Sequence, residues 1–398
     1  LWASMLCSPY FKELFLTSSL AKPRLLFAFV EKGEKSIYSQ YGQETSEDVW
    51  RFFSLPQLVN PYENSSSSSL VASADFHVIF SPEKLMIFHS YDQRYFSCGY
   101  VSGLFYIHGY RNQGRYAILP YRYTYSKAYI FFGFDPIDKQ HKVLYMAYPF
   151  GPGRHRILTI GSGDMSWRKI SCSLRHEAKS DGVCINGVLY YLCDTSSCMH
   201  DSPNDVKSDY VIVCFHVRSE KFTFIDVEMF CRLINYKGKL AVIYGEYDVD
   251  FYKSCGRENL DEFLENTFDY DLSNELHVWV LEDVEKQEWL KYGCTWTDEL
   301  ICRRHVSFTG ATASGEIVFS MRKYTPYYPF YVFYFNLQRN TLQRVEIQGF
   351  GERLTKPCIV RTFANHIEDL NVNDLELLKS VHPPLGYEEP EYEEDEEE

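Results

Sequence analysis

Between Arg24 and about Gly349 the chain repeats one local pattern: short runs of β-branched and aromatic residues separated by Gly, Asp and Asn clusters. Runs such as Arg24–Phe29, Val188–Leu192 and Tyr331–Phe335 have the length and composition of strands, and their punctuation is that of turns. They are continuously apolar rather than alternating, which predicts strands covered on both faces. Residues 1–19 read differently. Leu1, Trp2, Met5 and Leu6 form one apolar stripe; Ser8-Pro9 supplies an N-cap followed by proline at the first helical position; Phe11, Leu14 and Phe15 continue an apolar face to about Leu16. Two short helices broken at Ser8-Pro9 are expected. A third, amphipathic, is expected over Asn371–His382, stopped by Pro383-Pro384.

The strand-rich region repeats itself. At a constant offset, Cys214–Val227 (CFHVRSEKFTFIDV) superposes on Tyr334–Ile347 (YFNLQRNTLQRVEI): Phe215 matches Phe335, Val217 Leu337, Phe222 Leu342, Ile225 Val345 and Val227 Ile347. Upstream, Asp181–Leu192 matches Thr309–Ser320, with Gly182 on Gly310 and Gly187 on Gly315, positions suited to φ > 0. Looser copies are Tyr236–Ile243 with Leu276–Tyr292, Val101–Pro120, Tyr129–Ile170 and the Arg24–His89 region. About six units of roughly four strands each make an all-β, β-propeller-like domain the favoured architecture over a β-sandwich, which shares the short-strand signal. Gaps between blades widen outward, so bulky wedges are expected there, and aromatics make up 17 % of the chain.

Charge changes the picture at one place. The 398 residues carry 40 Lys+Arg and 54 Asp+Glu, a formal net charge of −14. Nine of those acids fall between Glu388 and Glu398, so the body is only mildly acidic, and the end is expected to be a solvated tail. The balance argues against a nucleic-acid binder, and no apolar run approaches the ~20 residues that span a bilayer. No signal peptide is evident, which makes cytoplasm or nucleus the expected compartment and the Asn64 sequon silent; the start at Leu1 suggests a fragment or an incomplete gene model.

Candidate chemistry is sparse. Twelve cysteines include no C-x-x-C pair; Cys193, Cys198 and His200 cluster in a loop-like stretch but lack a fourth zinc ligand. Gly161-Ser162-Gly163 lacks nucleophile-elbow spacing, and Gly151-Pro152-Gly153-Arg154 lacks the remainder of a phosphate or dinucleotide loop. Asp248 and Asp250 read as a surface acid pair rather than a glycosidase dyad. The aromatic stretch Tyr324–Phe335 reads as blade packing, with an exposed recognition patch as its alternative. No catalytic residue, metal or cofactor is expected.

The residues also resemble a known family. Leu1–Leu16 (LWASMLCSPYFKELFL) is similar to the carboxyl end of an F-box. Phe132–Leu144, Ser166–Ile170, Asp181–Tyr191, Val213–Phe224, Leu233–Leu240, Val280–Trp289 and Tyr331–Ile347 resemble, in order, the F-box-associated β-propeller domain, type 3, of plant F-box proteins. The resemblance implies a non-catalytic substrate adaptor of a Skp–cullin–F-box (SCF) ubiquitin ligase, presenting an unknown protein on its propeller. Its partners would be a Skp-type adaptor and a cullin scaffold, with Leu1, Trp2, Leu6 and Pro9 as F-box remnant positions on the docking side. The amino-terminal half of the F-box is missing from this sequence, so ligase assembly depends on its completion. The expected layout is an F-box remnant at 1–19, the propeller domain at 24–350, a segment with one helix at 351–385 and an acidic tail at 386–398. The reading from another class is a small-molecule- or glycan-binding propeller, or an enzyme on that scaffold.

Overall fold

The computed structural model describes residues 8–31, 35–38, 43–46, 49–57, 70–80, 85–87, 98–102, 104–107, 128–147, 155–160, 166–195, 210–244, 275–295, 306–351 and 353–367. Among the described residues one helix, α1 (Pro9–Ala21), precedes an all-β body. The Ser8 hydroxyl accepts the Phe11 N–H at 3.2 Å, so the Ser-Pro start works as its sequence predicts, but the helix runs on to Ala21. The expected preceding helix and the Asn371–His382 helix lie outside the described residues.

The strands form five large sheets, the blades of a propeller. Blade 1 joins the two ends of the domain: Arg24–Glu31, Val49–Pro56 and Asp75–Phe80 pair in order, and Cys358–His366 adds to the free side of Arg24–Glu31. Blade 2 is Ala128–Asp135, Gln140–Ala147, His155–Thr159 and Arg168–Ile170. Blade 3 is Glu177–Ala178 and Val183–Ile185, then Val188–Asp194, Tyr210–His216 and Lys221–Val227. Blade 4 is Arg232–Tyr236, Lys239–Tyr244, Glu275–Asp283 and Glu288–Thr295. Blade 5 is Val306–Ala311, Glu316–Met321, Phe330–Asn336 and Thr341–Gln348, extended by Leu70–Ser73 in parallel. First strands of successive blades touch, and Cys98–Val101, paired with Leu104–Ile107, fills the place between blades 1 and 2.

Five blades, not the expected six or so, follow from how the outer units are used. The Val101–Pro120 unit contributes a two-stranded hairpin among the described residues, not a full sheet. The Arg24–His89 unit supplies three strands of blade 1 and gives Leu70–Ser73 to blade 5. Counting hairpins in sequence therefore overcounts sheets.

The internal repeat is structural. Phe215 pairs with Phe222 and Phe335 with Leu342, in identical register, so the matched residues occupy matched places. Blades 2 to 5 each contain a hairpin whose four-residue loop ends in a positive φ: Lys139 (53°), Glu220 (58°), Gln287 (53°) and Asn340 (49°). Three of these loops open with Asp or Asn, because a short side-chain oxygen can hold the turn's own N–H groups. Asp135 Oδ1 accepts from Ile137 at 2.9 Å, Asp283 Oδ1 from Lys286 at 2.9 Å, and Asn336 Oδ1 from Gln338 and Arg339 at 3.1 and 3.0 Å. Of the paired glycines, Gly187 and Gly315 have φ of 83° and 96°. Gly182 is required for a different reason: a Cβ there would meet Phe131 and Leu189 at 2.8 Å.

Each seam between blades holds its own apolar cluster, so the core is a set of wedges rather than one mass. The aromatic wedges are concentrated at the closing seam between blades 1 and 5, where Phe27, Phe29, Phe53, Phe330 and Phe350 meet at ring separations of 4.7–6.3 Å. The seam between blades 3 and 4 is largely aliphatic, with Ile212, Ile225, Leu240 and Val242 at its centre. Blades 2 and 3 are also tied electrostatically. Glu220 accepts from Arg168, which bonds it through two guanidinium nitrogens, and from Lys142 Nζ at 2.7 Å. The Arg168 contact, with Lys142 behind it, holds the Glu220 carboxyl below its ordinary range.

Candidate interaction surfaces

The ring has two unlike faces, and the first turns of the blades show which is which. Pro136 of blade 2 lies against Gly187 of blade 3, Asn186 Nδ2 donates to the Gly238 carbonyl of blade 4 at 3.0 Å, and Lys237 lies across Gly315 of blade 5. Asn365 Nδ2 continues the series from blade 1 to the Ala311 carbonyl at 2.7 Å. These contacts place the tight turns 136–139, 186–187, 237–238 and 312–315 on one face. Because the strands are antiparallel, the second strands end and the third strands begin on the opposite face, at Ala147 and His155, Asp194 and Tyr210, Tyr244 and Glu275, and Met321 and Phe330. The first face carries the tight turns, and at the second the sequence between paired strands runs to 7, 15, 30 and 8 residues in blades 2 to 5, the kind of variable length on which recognition is ordinarily mounted. On that second face Tyr327 and Tyr328 are 90 % and 71 % exposed, while Tyr324, Phe330 and Tyr334 from the same aromatic stretch are buried. The stretch is therefore divided between packing and exposure.

Helix α1 is attached to the turn-bearing face, since Arg24 pairs with His366 at the end of the closing strand. None of its residues is buried, and Tyr10, Leu14 and Leu20 present apolar surface to solvent. Pro9 sits at its exposed first turn; Leu1, Trp2 and Leu6 lie outside the described residues.

The sequence's other chemical candidates resolve simply. Cys193 is core, its thiol donating to the Val211 carbonyl at 3.1 Å. Cys198, His200, Asp248, Asp250, Gly151–Arg154 and Gly161–Gly163 lie outside the described residues. A serine–histidine pair does occur, with Ser54 Oγ 2.5 Å from His77 Nε2. Ser54 is fully buried and its Oγ also accepts from Arg24 Nε at 2.6 Å, while Arg24 reaches Asp75 at 2.6 Å. A nucleophile with no exposed surface cannot meet a substrate, so this network serves to fasten the ends of blade 1.

His366 belongs to the same corner. Its ring stands edge-on to Tyr100 at 4.9 Å, and burial, with His77 and Arg24 nearby, pushes the imidazole down to about 4. An unfolded histidine takes up its proton near pH 6.5, so between about pH 6.5 and 4 the unfolded chain gains a proton that the folded chain refuses. Stability is therefore complete above that window and lost on acidification, with His366 contributing about 2 kcal/mol of the loss at pH 4.5. Urea unfolding at pH 7 and 4.5 checks this: His366→Phe is expected to shrink the difference between the two pH values by that amount.

A second cluster joins blades 2 and 3 at the end of blade 2 where its third strand begins. His155 opens the third strand of blade 2; Cys172 and His176 lie on the segment leading into blade 3. All three are buried, with donor atoms within 4.8 Å of one another. Burial raises the Cys172 thiol to about 11 and lowers the His176 imidazole to about 4, so both are neutral in the folded chain. Sequence spacing hid this cluster, because His155 comes from a separate strand.

Residues 24–367 match the family model of the F-box associated beta propeller domain. F-box protein At2g16450 of Arabidopsis thaliana is 63 % identical, over 98 % of this chain and 92 % of its own length. F-box protein At2g15640 of the same plant is 63 % identical, over 99 % of this chain and 92 % of its own. The chain belongs to the plant F-box proteins with an F-box associated β-propeller domain. Among solved structures, the WD40 domain of SCAP from fission yeast aligns with 86 % of this chain and 74 % of that one, at 7 % identity and a TM-score of 0.27, a likeness too slight to bear on the fold. Within this F-box protein, α1 stands immediately before the matched propeller, on the face away from Tyr327 and Tyr328.

Proposed function

We propose that this chain is a non-catalytic adaptor of a Skp–cullin–F-box ubiquitin ligase, working in cytoplasm or nucleus. Residues 1–21 belong to its docking side toward a Skp-type adaptor, and the propeller face that bears Tyr327 and Tyr328 holds a protein target. The observation that carries the reading is the polarity of the ring. A helix that keeps Leu14 and Leu20 off its own domain is joined to one face, and the exposed Tyr327 and Tyr328 occupy the other. Such a body can hold two proteins at once on opposite sides. Its contribution to ubiquitin transfer is proximity: a target lysine held near a charged conjugating enzyme reacts as if at high local concentration. The alternative of an enzyme gains nothing from Ser54–His77, which no substrate can reach.

Co-expression with a Skp-type adaptor tests the proposal, using this chain and a version carrying a complete F-box sequence upstream of Leu1. The completed version is expected to co-purify with the adaptor, and Leu14→Asp with Leu20→Asp is expected to reduce capture while leaving the propeller's melting temperature unchanged. Failure of both the given and the completed chain to bind would overturn it.

A further inference from the structure

We propose that His155, Cys172 and His176 form a binding site for a single Zn(II) ion that staples blade 2 to blade 3. This goes beyond the adaptor reading and does not depend on it. The case rests on ligand chemistry, convergence and the surrounding hydrogen bonds. Imidazole nitrogen and thiolate sulfur are the donors zinc selects, and Cys172 and His176 have the short spacing from which zinc sites commonly take two ligands. The third comes from another strand, and the three donor atoms converge within 4.8 Å in a buried position. In a tetrahedral site the same atoms would stand about 3.3–3.6 Å apart, so loading requires side-chain movements of about an ångström and no rearrangement of strands.

The surroundings fit that use. His176 Nδ1 donates to the Leu174 carbonyl at 2.9 Å, which fixes the proton there and leaves Nε2 with its lone pair. Holding the distal N–H of a histidine on a backbone carbonyl is how zinc ligands are ordinarily oriented. Nε2 is met at 3.0 Å by the buried Tyr191 hydroxyl, which also lies 3.5 Å from Met146 Sδ. When His176 turns to the metal, Tyr191 retains the Met146 sulfur as its acceptor. The Cys172 thiol donates to the same Leu174 carbonyl at 3.5 Å, a bond given up when its proton leaves. Binding is balanced by one proton: the Zn–S bond forms as the Cys172 S–H bond breaks, and the proton passes to solvent. The remaining coordination position falls to a water. The adjacent carboxylate, Glu177, is engaged elsewhere, with Tyr129 at 3.3 Å and with Lys179 at 3.5 Å.

The test uses the full chain, stripped with a chelator, loaded with Zn(II) alone and passed through gel filtration. About one equivalent of zinc is expected to remain, falling below about a tenth in Cys172→Ser and in His176→Gln, with Cys193→Ser as a control thiol that retains it. Co(II) in place of zinc is expected to give a thiolate charge-transfer band and the visible bands of a four-coordinate site. Should the variants fold poorly, alkylation of the unaltered chain decides. Zinc is expected to slow modification of Cys172 at least several-fold and to leave Cys231 unchanged. A folded, unaltered chain that retains no zinc, or zinc that leaves Cys172 alkylation unchanged, overturns the proposal.

Discussion

Ending the chain after Lys356 is expected to abolish cooperative unfolding altogether. The deletion removes Cys358–His366, the strand that pairs with Arg24–Glu31 and closes the ring. Leu25, Leu26, Phe27, Ala28, Phe29 and Val30, all buried, then lie on an open edge. Buried Cys358 and Val360 are lost and Phe363 no longer covers Leu26 and Val30; at about 1.5–3 kcal/mol for each large side chain removed or uncovered, the loss is several kcal/mol, a large part of the whole stability of an ordinary domain. Tyr324 loses its pairing with Cys358 in the same step, so blade 5 is loosened too. A chain ended after Glu368, which keeps the closing strand, is the comparison. Circular dichroism on heating is expected to show one sharp transition for the longer chain and a broad drift, with strong dye binding to exposed apolar surface, for the shorter. A sharp transition in both would show that blade 1 holds without its last strand.

Phe29→Ala should produce the second largest effect. Phe29 is fully buried and its ring contacts Phe53 at 5.4 Å, Tyr324 at 5.7 Å, Phe330 at 5.9 Å and Phe350 at 4.7 Å. These neighbours come from both sides of the closing seam, so no single blade can move inward to fill the space. The expected cost is about 3–5 kcal/mol, the transfer of the ring plus the cavity it leaves. Urea denaturation measures it as a lower midpoint with an unchanged slope. Tyr10→Ala, an aromatic truncation on the exposed α1, is the control and should fall within about 0.5 kcal/mol of the unaltered chain.

Much of this architecture was legible in the residues because hairpins are local. Register in Tyr210–Val227 and Phe330–Ile347 is set by a turn only four residues long, and the Asp and Asn that open such turns are visible in the sequence. Continuous apolar runs correctly marked strands covered on both faces, as in Val188–Asp194. The blade count was not legible, because Leu70–Ser73 leaves its own unit to pair with blade 5, and no local signal records where a strand goes. Nor was the unequal filling of the seams. Phe27, Phe330 and Phe350 lie far apart in the chain, and only closure of the ring brings them together. The same reason hides His155 from Cys172 and His176, and His77 from His366. Pro9 as a docking position is what the F-box resemblance of Leu1–Leu16 implies, whereas the exposure of Leu14 and Leu20 is visible only in the structure.

The closed ring also sets a timetable. Arg24–Glu31 is among the first strands made and Cys358–His366 the last of those in the ring. At about 5–20 residues per second, a ribosome spends roughly tens of seconds on the chain between them. Throughout that interval a strongly apolar strand has emerged with one of its two partners still unmade, longer than the microseconds to milliseconds in which hairpins and collapsed chains ordinarily form. Its protection during synthesis must come from Val49–Pro56 on its other side, or from a chaperone that holds the edge until the last strand arrives.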